Sequence, residues 1–294
     1  TANRPDCQSI FGLAREVAAA LGQPLKTPAL DYTETEVEKE GFDVTVEAQD
    51  LCPRYIAHYV YDVKLGQSPA WMRRRLALVG NNSISNIVDI TNYIMRELGQ
   101  PLHAFDCDYL EGNAIQVRRA NEGEKIVTLD EKEFTLNPNN LVICDGSKPV
   151  ALAGVMGGLN SEIVADTADV VFESANFNGT CIRKGALALG MRTEASAKYE
   201  KGLDPMNTLP AVNRACELVE LLGAGEVVEG VMDVIAKDSN PVTVKLEPEK
   251  VNGLLGTDVS REEMVRILEA LDFKVEGDTI HVPSWRSDVV HYSD

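Results

Sequence analysis

The sequence predicts an α+β protein in which helices and short strands are mixed along the chain. Apolar residues recur at helical spacing over 9–21, 83–98 and 205–222. Alternation of apolar and other side chains over 42–48 and 55–63 indicates strands instead. A length of 294 residues suggests more than one domain, with ample apolar content for a sizeable core.

The first predicted element is a helix over 9–21, which Gly22 and Pro24 end. An acidic stretch over 31–41 has the composition of a linker. The apolar positions of the helix are Ile10, Leu13, Ala14, Val17, Ala18 and Leu21.

The central part continues with a helix near 69–79 and a second over 83–98, which Gly99 ends. Between 114 and 158 the pattern changes to short strands and turns. Within and after that region, the predicted elements are a hairpin over 126–129 and 133–136, a turn at Asp145 and Gly146, a strand over 170–172, and a helix over 205–222 that ends at Gly223.

A boundary is predicted at 238–241, followed by a small unit whose order resembles a winged helix. Ser260 and Glu263 form a capping-box pattern that opens a helix. The other elements of this unit are a strand over 242–246 and a hairpin over 273–276 and 279–282.

Composition excludes several classes of protein. No window approaches the roughly 18 continuous apolar residues of a membrane span, and no secretory signal opens the chain. The first residue is Thr1 rather than Met, which is consistent with a missing upstream part. Six cysteines lie far apart, which favours free thiols in a reducing cytoplasm over a zinc site or a disulfide framework.

The formal net charge of −18 argues against sequence-independent duplex binding. It leaves two interpretations open for the local basic groups, namely solvated surface or local phosphate contacts. These groups are Arg73 with Arg74 and Arg75, Arg118 with Arg119, Arg183 with Lys184, and Arg192 with Lys198 and Lys201.

Five sequence segments resemble the editing region of the β subunit of bacterial phenylalanyl-tRNA synthetases. The most specific is DITNYIMRELGQPLHAFD at 89–106. The others, in the family's order, are NRPDC at 3–7, ALAGVMGG at 151–158, FESANF at 172–177 and RTEASAKYEKGLDP at 192–205. VPSWRSDV at 282–289 resembles the start of the winged-helix-like domain that follows in that family.

The resemblance implies three parts. Residues 1–41 would be the tail of a split N-terminal domain with a linker, 42–237 an editing domain that binds tRNA, and 238–294 a truncated winged-helix-like domain. It also implies a cytoplasmic heterotetramer with an α subunit, and contact with the 3′ end of tRNA(Phe). ATP and Mg²⁺ would serve the whole synthetase, whereas editing needs no cofactor and ligation is not expected from this part alone.

Two residues carry the predicted editing chemistry. Glu173 follows an apolar strand, where a carboxylate can accept a hydrogen bond from a phenol or simply be solvated. His103 follows a helix stop, so it is predicted on a loop, where it can hold a water or merely fill the loop. The resemblance implies that Glu173 reads the tyrosine hydroxyl and that His103 positions the ester and the attacking water.

Further site residues rest on the resemblance alone. Thr91 and Asn92 would act with His103, although packing or back-bonding to their helix is the ordinary role of such residues. The substrate-binding set would be completed by Pro101, Ala153, Gly154, Thr193 and Ala195. The run that contains Ala153 and Gly154 lacks the P-loop pattern, so it is not predicted to bind a nucleotide phosphate. It either lets the backbone approach a ligand closely or forms a tight turn.

Asp288 and Asp294 match magnesium ligands of the family, whose further glutamates lie beyond this chain. Two carboxylates make a poor magnesium cage, so little or no metal is expected. The predicted function is hydrolysis of mischarged tyrosyl-tRNA(Phe). The alternative is a non-catalytic scaffold or tRNA-interaction module of the same synthetase. The net charge favours this alternative for the isolated fragment, whereas the intact set of Thr91, Asn92, His103 and Glu173 favours the enzyme.

Overall fold

The computed structural model describes residues 3–37, 42–237 and 241–294. Helix α1 (Ile10–Leu21) begins after Ser9, whose hydroxyl accepts a hydrogen bond from the Gly12 N–H, and ends at the left-handed Gly22. The predicted helix is confirmed, but its apolar side does not enter a core. Side chains exposed by 48% to 67% include Ile10, Leu13, Val17 and Leu21.

The described part of the predicted linker is docked on the central domain. The Thr35 N–H donates to the Val227 carbonyl at 2.8 Å, and Thr33 donates to Glu220. Residues 38–41 of that linker lie outside the described residues, as do 238–240 of the predicted boundary.

The central domain contains two main sheets and a hairpin. Its strands are β1 (Asp43–Val46), β2 (Arg54–Tyr61), β3 (Leu102–Asp106), β4 (Ala114–Arg119), β5 (Lys125–Val127), β6 (Glu133–Thr135), β7 (Leu141–Cys144), β8 (Pro149–Leu152), β9 (Met156–Gly157), β10 (Val170–Asn176), β11 (Glu226–Val227) and β12 (Met232–Ile235). The first sheet has the order β1-β4-β7-β8-β9, and the second has the order β11-β2-β10-β3, with β12 also paired to β2. Strands β5 and β6 form the predicted hairpin.

The helices of this domain divide between the two sheets. Two of them, α4 and α5, were not predicted. The helices are α2 (Ala70–Leu78), α3 (Asn86–Glu97), α4 (Gly179–Ala188), α5 (Glu194–Tyr199) and α6 (Thr208–Leu222).

The second sheet forms a middle layer between two cores. One of its faces, with Tyr55, Phe105 and Val171, packs against the first sheet together with α4 and α5. The other face, with Ile56 and Phe172, packs against α2, α3 and α6. Strand β10 lies in the middle of this sheet, and every one of its residues is buried. A polar side chain on β10 therefore needs a partner within the protein.

Two sequence predictions about the site strands are wrong. His103 lies within β3 and not on a loop, and Glu173 lies in the middle of β10 and not at the end of a short strand. The chain after Gly99 re-enters the sheet at once, and β10 continues through its polar residues to Asn176.

The small C-terminal unit has its own core. It contains β13 (Val242–Lys245), α7 (Pro248–Leu255), α8 (Arg261–Ala270), β14 (Lys274–Glu276) and β15 (Thr279–Val282). The predicted hairpin is confirmed, and Ser260 caps α8 by accepting a hydrogen bond from the Glu263 N–H. Helix α7 was not predicted. No disulfide joins any of the described cysteines, and Cys52, Cys144 and Cys216 are buried. None of the described helices is both long and apolar enough to cross a membrane.

Candidate functional site

The site is built on a cross-strand pair of polar residues. Strands β10 and β3 are antiparallel, and their register places Glu173 directly opposite His103. Directly opposed residues of an antiparallel pair have Cβ atoms about 4.5–5.5 Å apart on one face of the sheet. Residues separated by about 70 positions in the sequence are therefore neighbours, on the face that packs against the first sheet.

Glu173 is 5% exposed and has one phenol partner already. The Tyr55 hydroxyl donates a hydrogen bond to Glu173 Oε2 at 3.2 Å. Burial raises the pKa of the Glu173 carboxyl to about 8, and the hydrogen bond from Tyr55 lowers this pKa by a smaller amount. At neutral pH the side chain is thus mostly an uncharged carboxylic acid.

His103 is fixed by its neighbours but has a polar atom without a partner. Its ring meets the Phe105 ring edge-on, with centroids 4.5 Å apart. The residue keeps some exposed surface, yet its Nε2 atom is buried and has no hydrogen-bond partner within the described part of the chain. Burial lowers the pKa of the imidazole to about 4, so it is neutral at pH 7. A buried orphan nitrogen indicates that a water or ligand binds there.

Both side chains line a cavity of about 70 Å³ between the two sheets. Its wall includes the predicted residues Pro101, Gly154 and Ala195. The remaining lining residues are Leu102, Ile143, Ala151, Leu152, Val155, Met156, Gly157 and Tyr199.

The glycine-rich run makes close backbone approaches, but to the protein's own side chains. A Cβ atom on Gly157 would lie 2.4 Å from His103 Cε1 and 2.7 Å from its Nε2. A Cβ atom on Gly154, which has a φ of +66°, would lie 2.9 Å from Tyr199 Cδ2. The glycines therefore make room for His103 and Tyr199, two side chains that line the cavity.

Thr193 and Ala153 support the cavity from behind. The Thr193 hydroxyl donates to the Val155 carbonyl at 2.8 Å, and it also caps α5. Ala153 is buried and lies between two lining residues, Leu152 and Gly154. Neither Thr193 nor Ala153 belongs to the cavity lining of the described chain.

Thr91 and Asn92 are not brought to the cavity. They lie on α3, which packs on the opposite face of the second sheet. The Thr91 hydroxyl donates to the Val88 carbonyl of its own helix at 2.8 Å, which is back-bonding. Asn92 stands one turn before Arg96, whose Nη1 lies 3.1 Å from Glu194, next to Ala195 in the cavity wall.

The two predicted magnesium ligands are each engaged in local hydrogen bonds. Both oxygens of Asp288 accept hydrogen bonds from Arg286, at 2.8 and 2.9 Å. Asp294 accepts from the backbone N–H groups of Val290 and His291. Among the described residues, neither joins a group of three possible ligands.

Two buried tyrosines of the site were missed. Tyr55 binds Glu173, and the Tyr199 hydroxyl donates to the Ala175 carbonyl at 2.9 Å, beneath the cavity. Alternation over 55–63 places Tyr55 and Ala57 on one face, but no local signal gives the strand that they oppose.

Comparisons with known proteins give matches to tRNA synthetase proteins along most of the chain. Residues 51–224 match the family described as "B3/4 domain", and residues 244–294 match "tRNA synthetase B5 domain". The phenylalanine–tRNA ligase β subunit of Clostridium tetani is 47% identical over 300 residues, covering 100% of this chain and 38% of that protein. The corresponding protein of Syntrophus aciditrophicus is 49% identical over 301 residues, covering 98% and 37%.

The chain therefore spans less than two fifths of the length of these relatives. Among solved structures, an N-terminal fragment of the phenylalanyl-tRNA synthetase β subunit from Pyrococcus horikoshii aligns with 99% of this chain and 81% of that chain. Its sequence identity is 16% and its TM-score is 0.44.

Proposed function

Because the chain belongs to the phenylalanine–tRNA ligase β-subunit family, we propose that its central domain hydrolyses mischarged tyrosyl-tRNA. The observation that carries this proposal is the buried cross-strand pair of His103 and Glu173 in one cavity. In the reaction, a water oxygen attacks the ester carbonyl carbon and the ester C–O bond breaks. Tyrosine and the 3′-terminal hydroxyl of the tRNA are released.

The chemistry supplies a reason for such a site. Phenylalanine and tyrosine differ by one hydroxyl, and an apolar pocket rejects an analogue with an added hydroxyl only about 100-fold. A second pocket with a buried polar group reverses the selection, since phenylalanine leaves that group unpaired. An unsatisfied buried hydrogen-bonding group costs about 1–3 kcal/mol.

Glu173 is the group that selects the hydroxyl. Tyr55 already binds Oε2, so the substrate phenol donates to Oε1. An oxygen of the carboxyl group can accept this hydrogen bond in either protonation state. The resident phenol of Tyr55 supports the proposal, because the same carboxyl group already binds one tyrosine hydroxyl.

His103 holds the attacking water. Its Nε2 atom is buried without a partner, and the depressed pKa keeps the ring neutral and able to accept a hydrogen bond. A water that donates to Nε2 is oriented toward an ester bound between His103 and Glu173. Such an ester is already activated, so orientation of water contributes more than a strong nucleophile.

Substrate entry requires the cavity to widen. A volume of about 70 Å³ holds about two waters, at roughly 30 Å³ of liquid volume each, and not a phenol ring. Met156 lies in the wall, is partly exposed and has three rotatable bonds. Movement of its side chain enlarges the cavity without disturbing the sheet.

The remaining partners are proposed from the family. They are the α subunit and the 3′ end of tRNA(Phe) in the cytoplasm, with ATP and Mg²⁺ serving ligation by the whole synthetase. The competing proposal is a scaffold that contacts tRNA without catalysis, which the net charge of −18 favours. The two proposals differ in whether the cavity turns over substrate.

The experiment compares deacylation of tyrosyl-tRNA(Phe) and phenylalanyl-tRNA(Phe) by the full chain. We expect faster release of tyrosine, and a loss on the order of 10²-fold when His103→Ala removes the water acceptor. Tyrosine release at the spontaneous rate by a folded wild-type chain would favour the scaffold.

A further inference from the structure

Helix α2 carries three consecutive arginines that form no ion pair with any carboxylate of the described residues. Within the described part of the chain, Arg73, Arg74 and Arg75 make no ion pair. Arg183 is the one other arginine there that also makes none. Every other arginine lies at ion-pair distance from an aspartate or glutamate. In a chain of net charge −18, this absence of neutralisation stands out against the rest of the surface.

The surroundings of these arginines are apolar and aromatic. Trp71 is 37% exposed, and the Arg75 guanidinium lies 5.2 Å from the centroid of its ring. Arg75 also donates to the Tyr93 hydroxyl at 2.6 Å, which fixes its position. Leu78, on the same helix, and Ile84, between α2 and α3, are also exposed apolar side chains. Arginines beside an exposed aromatic ring provide phosphate contacts and a stacking platform.

The side chain of Arg96 connects the end of α2 to the rim of the cavity. Asn81, just beyond α2, accepts a hydrogen bond from Arg96 Nε at 2.8 Å. Arg96 Nη1 lies 3.1 Å from Glu194 at the start of α5. The next residue, Ala195, lines the cavity.

We propose that the arginines of α2 bind the backbone phosphates of an RNA strand whose 3′ end reaches the cavity. This inference rests on the proposed function, because an aminoacyl ester arrives attached to RNA. An RNA strand fits better than an acidic protein surface, since Trp71 offers a face for base stacking and Arg96 connects the surface to the cavity rim.

The test measures binding of an uncharged RNA hairpin with a single-stranded 3′ tail to the full chain, by fluorescence anisotropy at several salt concentrations. Each phosphate contact contributes about 0.7–0.9 to the slope of log affinity against log salt. The double substitution R73Q/R74Q should therefore weaken binding by about tenfold or more at low salt and lower the slope by about 2.

The matched control is R183Q/K184Q on α4, which removes the same charge from another exposed pair. It should leave the salt slope unchanged. Arg73 is partly buried, so R74Q alone serves as the milder variant and should lower the slope by about 1. An unchanged slope in the α2 variants, or an equal loss in the control, overturns the inference.

The probe separates this inference from the proposed function, because it carries no amino acid. A chain that fails to hydrolyse tyrosyl-tRNA can still bind the hairpin through α2. A chain that hydrolyses tyrosyl-tRNA but shows the same slope in both double variants keeps the proposed function and loses this inference.

Discussion

Gly157→Ala tests whether the position of His103 matters, because it adds one methyl group against the imidazole. The new Cβ atom would lie 2.4 Å from His103 Cε1, whereas ordinary contacts begin near 3.4 Å. The ring must therefore retreat by about 1 Å, since interiors are close-packed and little else can move. Gly157 has no positive φ, so alanine introduces no backbone strain there.

A misplacement of about 1 Å at a reacting centre can lower the rate about 100-fold. We expect that loss in deacylation of tyrosyl-tRNA, with a destabilisation of about 1–3 kcal/mol from overpacking. The control is Gly66→Ala, since a Cβ atom at Gly66 meets nothing within 4 Å. A folded Gly157→Ala chain with the wild-type rate would refute the assigned position of His103.

Three further predictions follow from the same cavity. Ala195→Trp should abolish tyrosyl-tRNA deacylation while the melting temperature stays near the wild-type value, because the indole occupies the cavity that Ala195 lines. A folded variant that remains active would show that Ala195 does not line the site. The deacylation rate, corrected for spontaneous hydrolysis, should hold from pH 7 to about pH 5 and fall near pH 4, where His103 gains its proton; a fall centred near the ordinary value of 6.5 would contradict burial of the ring. Glu173→Gln should stabilise the chain relative to the wild type, and increasingly so from pH 5 to pH 8. The reason is that the unfolded carboxyl ionises above pH 4.5, whereas the folded carboxyl stays protonated to about pH 8. Chemical denaturation of both proteins at pH 5 and pH 8 measures the difference in the free energy of unfolding.

Helices α1 and α3 were predictable from the sequence, whereas α4, α5 and α7 were not predicted. Ser9 and Gly22 bound α1, and buried isoleucines mark α3, because caps and 3.6-residue periodicity are local signals. The exposed side of α1 shows the limit of such a signal. Periodicity indicates which residues share a face, but not whether another element covers that face.

The site was predicted less completely, because its contacts join distant strands. The apolar run of 170–172 predicted a short strand, and the polar residues after it masked the continuation of β10. Each of those polar side chains has a partner elsewhere: Glu173 binds Tyr55, Ser174 donates to the Thr208 carbonyl, and Asn176 donates to the Leu203 carbonyl. Non-local satisfaction of this kind lets a buried strand contain polar residues.

Thr91 and Asn92 illustrate a different limit. The resemblance implied that both act with His103, which follows them closely in the sequence, but the chain crosses from a helix layer to the middle sheet between them. That crossing places Thr91 on the far side of the sheet. Sequence proximity predicts a shared face only within one element.

Selection of tyrosine by Glu173 is the central claim, and Glu173→Ala tests it most directly. The measurement is the ratio of deacylation rates for tyrosyl-tRNA(Phe) and phenylalanyl-tRNA(Phe), wild type against variant. Without the carboxyl group, the tyrosine hydroxyl loses its acceptor, and phenylalanine no longer leaves a buried carboxyl group unpaired. The ratio should therefore fall by about 10–100-fold. If both rates fall together and the ratio stays at its wild-type value, Glu173 does not read the hydroxyl.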